Sequence, residues 1–201
     1  MPAFRALLVA IAALAAACGD APKLAPLAAD AVVLAFGDSL TYGTGASEAE
    51  SYPAQLERLI GRKVVGAGVP GEVSARALAR LPGALDEHRP QLLVLCIGGN
   101  DFLRNLGKAQ AAANVQTMVA VARQRGIDVL LIGAPEKSLT VTPPSFYAEI
   151  AQQHGIPYEG SVIGEILRNS ELKSDTIHPN ARGYRLIAER VAGLLKQAGA
   201  L

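Results

Sequence analysis

Ala31-Val32-Val33-Leu34-Ala35-Phe36 is an unbroken apolar run that passes directly into Gly37-Asp38-Ser39-Leu40. Six apolar residues ended by turn-forming ones describe a strand buried on both faces, because a strand with one wet face alternates apolar and polar positions. Working outward, residues 92–97 and 127–132 have the same character, and 63–65 and 156–158 are shorter strand candidates. Helical patterns lie between them, at 52–60, 74–87, 108–125 and 144–154. The last, around 180–198, has Tyr184, Ile187, Ala188, Val191, Leu194 and Leu195 at spacings of three and four. No internal repeat interrupts this order.

Alternation of buried strands with amphipathic helices specifies a parallel sheet, since parallel neighbours need crossover connections and those cover both faces. The expected fold is α/β: a three-layer, flavodoxin-like sandwich of about five parallel strands with helices on both faces. Ligands of such sheets bind beyond the carboxyl ends of the strands. The unusual polar residues fall at those ends. The first strand runs into Gly37-Asp38-Ser39, the second into Gly66-Ala67-Gly68-Val69-Pro70-Gly71, and the third into Gly98-Gly99-Asn100-Asp101. Asp175-Thr176-Ile177-His178-Pro179 precedes the last helix.

Each piece alone has a plain structural reading. Gly-Asp-Ser is common in turns, Asn-Asp serves as a helix cap, and Pro179 suits the start of a helix. Together they hold what acyl transfer needs: a serine, a base, a group that orients the base, and donors for an oxyanion. Of the three histidines, His88 lies in Asp-Glu-His-Arg-Pro at a helix end and His154 precedes Gly155 at another. His178 alone follows a carboxylate by three residues in a loop, and Pro179 biases it away from helical geometry. It is the candidate base.

Gly37-Asp38-Ser39-Leu40, Gly71, Gly98-Gly99-Asn100-Asp101 and Asp175-Thr176-Ile177-His178-Pro179, in that order, resemble the four sequence blocks of the SGNH (GDSL) hydrolases. With Tyr52-Pro53 and Asn180-Ala181-Arg182-Gly183-Tyr184, the chain looks most similar to the bacterial arylesterase, thioesterase and lysophospholipase branch. The resemblance runs from about residue 31 to the end and implies a serine esterase. Its catalytic triad would be Ser39, Asp175 and His178, and its oxyanion hole the backbone N–H groups of Ser39 and Gly71 with the side-chain amide of Asn100. It implies a small-molecule or lipid ester as substrate and no metal or organic cofactor. The pattern departs from the family at Gly66, where the second block usually opens with an asparagine that buttresses the glycine loop.

Two other classes compete. Gly66-x-Gly68-x-x-Gly71 matches a dinucleotide-binding fingerprint. However, it follows the second strand rather than the first, contains Pro70 in the turn, and has Asp86 and Glu87 in a helix end where a ribose contact belongs at a strand end. A surface lipoprotein that kept the fold and lost the chemistry would be expected to lack at least one of the five site residues. Within the esterase class a carbohydrate O-acetylesterase is the alternative.

Composition bounds the rest. Nineteen Lys+Arg balance 18 Asp+Glu, which offers no electrostatic footprint for nucleic acid. Arg5, the apolar run from Ala6 to Ala17 and Cys18 have the order of an export signal. Ala-Ala-Ala-Cys at 15–18 resembles a bacterial lipobox, with Cys18 as the lipidated residue and a membrane anchor. The expected organisation is therefore an export signal over 1–18, a tether over 19–29 containing Pro22 and Pro26, and a hydrolase domain over 30–201, placed in the periplasm or cell envelope. Cys96, inside an apolar run, is expected in the core.

Overall fold

The computed structural model describes residues 22–136 and 141–201. Along the chain come β1 (Val32–Gly37), α1 (Ser39–Tyr42), α2 (Tyr52–Ile60), β2 (Lys63–Gly68), α3 (Ser74–His88), β3 (Leu92–Cys96) and α4 (Gly99–Leu103). Then follow α5 (Lys108–Gln124), β4 (Asp128–Ile132), α6 (Phe146–His154), β5 (Tyr158–Glu159), α7 (Val162–Arg168) and α8 (Ala181–Gln197). The five strands form one parallel sheet in the order β2-β1-β3-β4-β5. This is the expected three-layer fold. The chain leaves β1 for β2 on one side and then returns to place β3 on the other. The crevice that this reversal opens lies beyond the ends of β1 and β3.

Strand residues alternate between two cores. Val33, Ala35, Leu92, Val94, Cys96, Leu130 and Ile132 pack with α2, α7 and α8. Leu34, Phe36, Leu93, Leu95, Ile97, Val129 and Leu131 face α3, α5 and α6. An apolar residue on both faces of each central strand is the reason β1, β3 and, after Asp128, β4 read as apolar runs. Cys96 is buried as expected, with a free thiol.

Two strands differ from their sequence reading. β2 continues past Val65 to Gly68, pairing Gly66, Ala67 and Gly68 with Ala35, Phe36 and Gly37. Glycine has little strand propensity, but a Cβ at position 68 would strike the backbone of Thr41 and Tyr42, so α1 can lie across this edge only over a glycine. β5 is shifted to Tyr158–Glu159 and has two residues, while Ile156 packs in the core. Three helices carry no usable periodicity. α1 and α4 are four and five residues long, and α7 contains Gly164, whose missing side chain makes room for the Val141 carbonyl. The start of α7 is secured by Glu159, whose Oε1 accepts from the Ser161 and Val162 N–H groups at 2.8 Å each.

The expected export segment and Cys18 lie outside the described residues. The described part of the expected tether, residues 22–29, is packed on the domain. Leu24 and Leu27 are buried in the α8-side core, and their N–H groups donate to the carbonyls of Ala198 and Ala200 at 2.9 Å each. Gln91 accepts from Ala28 N–H and donates to the Pro26 carbonyl, and Asp128 accepts from Ala25 N–H. Two leucines at a spacing of three cover the open end of the core, which outweighs the loop signal of the prolines. Replacing Leu24 and Leu27 by alanine should lower the unfolding free energy by at least about 2 kcal/mol with ester turnover unchanged at 25 °C, as read by urea melts beside rate assays.

Candidate active site

Ser39 opens α1 immediately after β1, and the turn that presents it is tight. A Cβ at Gly37 would collide with the Cys96 carbonyl and the Thr41 hydroxyl. Asp38 caps the turn, its Oδ1 accepting from Leu40 N–H at 3.1 Å. Behind it the Thr41 hydroxyl meets the Tyr52 hydroxyl at 3.2 Å, and the Tyr184 hydroxyl of α8 donates to the Thr44 carbonyl at 2.8 Å.

The loop before α8 reaches the same place. Lys173 and Pro179 form an antiparallel bridge, and Ser174 N–H donates to the His178 carbonyl at 2.9 Å. Within this small closed loop, Asp175 Oδ1 accepts from the N–H groups of Ile177 and His178 at 2.8 Å each, while Oδ2 lies 2.7 Å from His178 Nδ1. Slight burial works to raise the Asp175 carboxyl. The His178 ring and the two backbone N–H groups outweigh it, and the group sits below the ordinary carboxylate value. His178 Nε2 is 3.1 Å from Ser39 Oγ. Asn180 anchors the loop to α8, accepting from Arg182 and Gly183 N–H and donating to the Glu171 carbonyl at 2.9 Å. This explains the Asn-Ala-Arg-Gly stretch: a Cβ at Gly183 would strike the Leu172 carbonyl. His88 and His154 end helices α3 and α6, at the opposite edge of the sheet.

Gly71 and Asn100 border the same cleft as Ser39 and His178. Glu72 N–H donates to the Val69 carbonyl at 3.1 Å, closing a turn with Pro70 and Gly71 at its centre. The φ of +73° at Gly71 is the left-handed third position of a type II turn, which favours glycine there and proline before it. Gly66, the departure from the family pattern, faces Pro53 from the edge strand. The Gly71 loop is braced without an asparagine at that position. Arg104 Nη2 donates to the Gly71 carbonyl at 2.8 Å, and Asn100 Nδ2 donates to the Glu72 carbonyl at 3.1 Å. The buried Glu72 carboxylate is paired with Arg80 at 2.7 Å, and Arg80 also donates to the Ala67 carbonyl and stacks on Phe36. The amino end of α3, where the glycine fingerprint would seat a pyrophosphate, is filled by Asp101: its oxygens accept from Ser74 N–H at 2.8 Å and Ser74 Oγ at 2.6 Å.

The cleft has a volume of about 240 Å³. Its walls are mainly apolar and include Leu40, Leu103, Ile163, Leu167 and Ile177. Leu103 comes from the segment after β3, and Ala134 and Pro135 from the segment after β4. The α7 wall was not readable from sequence, because no pattern marked that helix. Asp38 and Arg104 were also missed as site residues. Asp38 was visible only as part of a turn, and nothing local to Arg104 signals a contact 33 residues away.

A parallel α/β sheet with a serine, an imidazole and a carboxylate in contact beyond its carboxyl edge defines the class of α/β ester hydrolases. The model of the GDSL-like lipase/acylhydrolase family matches residues 35–186, and the chain belongs to that family, as a hydrolase acting on ester bonds. It is 30% identical over 188 residues to the esterase TesA of Pseudomonas aeruginosa, spanning 84% of this chain and 90% of that one. To the thioesterase 1/protease 1/lysophospholipase L1 of Escherichia coli it is 29% identical over 177 residues, spanning 84% and 85%. Among solved structures, that of TesA superposes with a TM-score of 0.72 at 28% identity, covering 83% of this chain and 99% of that one. The psychrotrophic esterase EstA of Pseudoalteromonas sp. superposes at 0.74 with 22% identity, over 84% and 98%, a likeness of fold.

Asp38 is 2% exposed. Burial pushes its carboxyl up from 3.8 to about 6 against the pull of Leu40 N–H, the Asn100 amide and His178, with Glu72 adding to the rise. A carboxyl raised in the folded state binds its proton more tightly there than in the unfolded chain, so its effect on stability is unfavourable and develops as pH rises from about 4 to about 6. Asp38→Asn lacks this titration. Relative to the native protein, the variant should gain about 2.5 kcal/mol between pH 4 and pH 8, measured by urea melts at both pH values. A difference that does not vary with pH would contradict the raised carboxyl of Asp38.

Proposed function

We propose that the protein is a serine esterase that hydrolyses carboxylic esters with short or aryl acyl groups through a covalent acyl-enzyme. The observation that carries this reading is the continuous contact from Ser39 Oγ to His178 Nε2 and from His178 Nδ1 to Asp175 Oδ2 at the wall of an apolar cleft. In this mechanism Ser39 Oγ attacks the ester carbonyl while His178 Nε2 takes its proton. Asp175 holds the ring in the tautomer with Nδ1 protonated and stabilises the imidazolium that forms. The oxyanion is received by the N–H groups of Ser39 and Gly71 and the amide of Asn100. As the first residue of a helix, Ser39 has an N–H with no acceptor inside that helix. Collapse of the tetrahedral intermediate expels the alcohol with the proton from His178, and water, activated by the same ring, releases the acid.

The small cleft supports the acyl preference. Pockets for drug-sized ligands run from about 300 Å³ upward, and 240 Å³ of mainly apolar space suits a compact acyl or aryl group. The relatives named esterase and, in Vibrio mimicus, arylesterase (26% identical over 177 residues) support the same class. For location, we propose export, with Cys18 as the lipidated residue, on the strength of the 5–18 segment.

p-Nitrophenyl esters from acetate to palmitate test the reading. Ser39→Ala should abolish turnover, and Asn100→Ala should lower kcat roughly 10²–10³-fold. Rates should be highest with short acyl groups. Undiminished turnover by Ser39→Ala would overturn the mechanism, and a maximum at palmitate would overturn the acyl preference alone. In cells, radiolabelled palmitate should enter the native chain and not Cys18→Ser.

A further inference from the structure

Asp38 takes no part in the proton transfers above, yet it touches both halves of the site. We propose that Asp38 is a positioning residue for the oxyanion site, its two carboxylate oxygens tying the side-chain amide of Asn100 to the turn that carries Ser39. The inference rests on the proposed role of Asn100 as an oxyanion donor.

The geometry is specific. Oδ1 accepts from Leu40 N–H at 3.1 Å, and Oδ2 accepts from Asn100 Nδ2 at 3.2 Å. The same nitrogen donates to the Glu72 carbonyl at 3.1 Å, one residue beyond Gly71. The terminal torsion of an asparagine is broad and two-fold, so its amide has little orientational preference of its own. Here the two acceptors supply one. A flipped amide would set its oxygen against a carboxylate and a carbonyl, so the nitrogen edge is held; of its two N–H groups Asp38 keeps one, and the one toward Glu72 is shared with the oxyanion as that forms. The buried carboxylate thereby joins the Ser39 turn to Asn100, and Asn100 in turn reaches the Gly71 turn through the Glu72 carbonyl.

Helix capping does not account for this residue. A cap uses one oxygen, and serine, threonine or asparagine serves as well. The second oxygen of Asp38 makes no capping bond and is spent on Asn100. Nor does stability account for it, because burying an ionised carboxylate is unfavourable. The groups around it include Tyr52 on α2, Cys96 on β3, Tyr147 on α6, Tyr184 on α8 and the carboxylate of Glu72, with His178 facing it from the loop before α8. The Arg80 guanidinium is paired with Glu72.

A double-mutant cycle tests the inference. Asp38→Asn should lower kcat for p-nitrophenyl acetate roughly 10–100-fold, with KM changed by less than about threefold, because the interaction matters when the oxyanion forms. Asp38→Ser keeps a capping oxygen for Leu40 N–H but stops short of Asn100, and should show the same split while remaining folded in a urea melt. In an Asn100→Ala background, either substitution should lower kcat by less than about threefold further, since residues acting through one another are not additive. Losses that multiply in the double variants, or a native kcat in Asp38→Ser, would overturn the inference and leave the esterase reading intact. A native kcat in Asn100→Ala, with Ser39→Ala inactive, would remove Asn100 as a donor and this inference with it.

Discussion

No side chain fits at position 37, where the backbone of β1 lies against the Cys96 carbonyl of β3 and the Thr41 hydroxyl, and the rest of the site depends on that closeness. The pairing of Gly37 with Cys96 ends the two central strands level with each other. Whatever follows β1 must then meet whatever follows β3. Asp38 and Ser39 come from the first, and Gly98 to Asn100 from the second. Because β1 and β3 flank the point where the chain reverses direction across the sheet, no connection covers their ends, and the crevice stays open.

Around that crevice the fold keeps several carboxylates out of water, each satisfied differently. Glu72 has the Arg80 guanidinium. Asp101 has the N–H and hydroxyl of Ser74, and Asn114 donates in turn to that hydroxyl at 2.9 Å. Asp38 has a backbone N–H and an amide, and no permanent cation. A buried polar network is rigid when every member has its partner, and this one links the turns after β1, β2 and β3 into one body. Asp175, on the far side, stays half exposed and draws its geometry from its own loop, through the two N–H groups it accepts. The Ser39 side of the site is therefore set by the core, and the His178 side by a short closed loop docked on α8.

The apolar surface near the site has the opposite character. Among the described residues, Tyr42, Val69, Leu103, Leu106 and Ile177 are large hydrophobic side chains left exposed, each on or beside a segment that reaches the carboxyl edge of the sheet. Leu103 and Ile177 also line the cleft itself. Buried, fully paired polar groups at the bottom and exposed apolar side chains at the rim divide the site between the core and its surface. In this fold the donors sit on strand ends, while the walls come from α4, α7 and the loops.

The sequence by itself determined the fold class, because strands buried on both faces must be apolar throughout and cannot be mistaken for half-exposed ones. It also marked Ser39, Asp175 and His178 as candidates, because a serine in the turn after a strand and a histidine three after an aspartate leave local traces, while Gly71 and Asn100 were singled out by the resemblance of their blocks to those of a known family. Only the tertiary structure brought Ser39 and His178 within 3.1 Å across 139 residues. It alone showed that residues 22–29 belong to the body of the domain, that Arg104 reaches Gly71, that α7 forms a wall of the cleft, and that Asp38 holds Asn100. The physical reason is one of range. Periodicity and turn chemistry record what a residue does to its neighbours along the chain, whereas these contacts are made by side chains whose partners are set by strand order and helix packing.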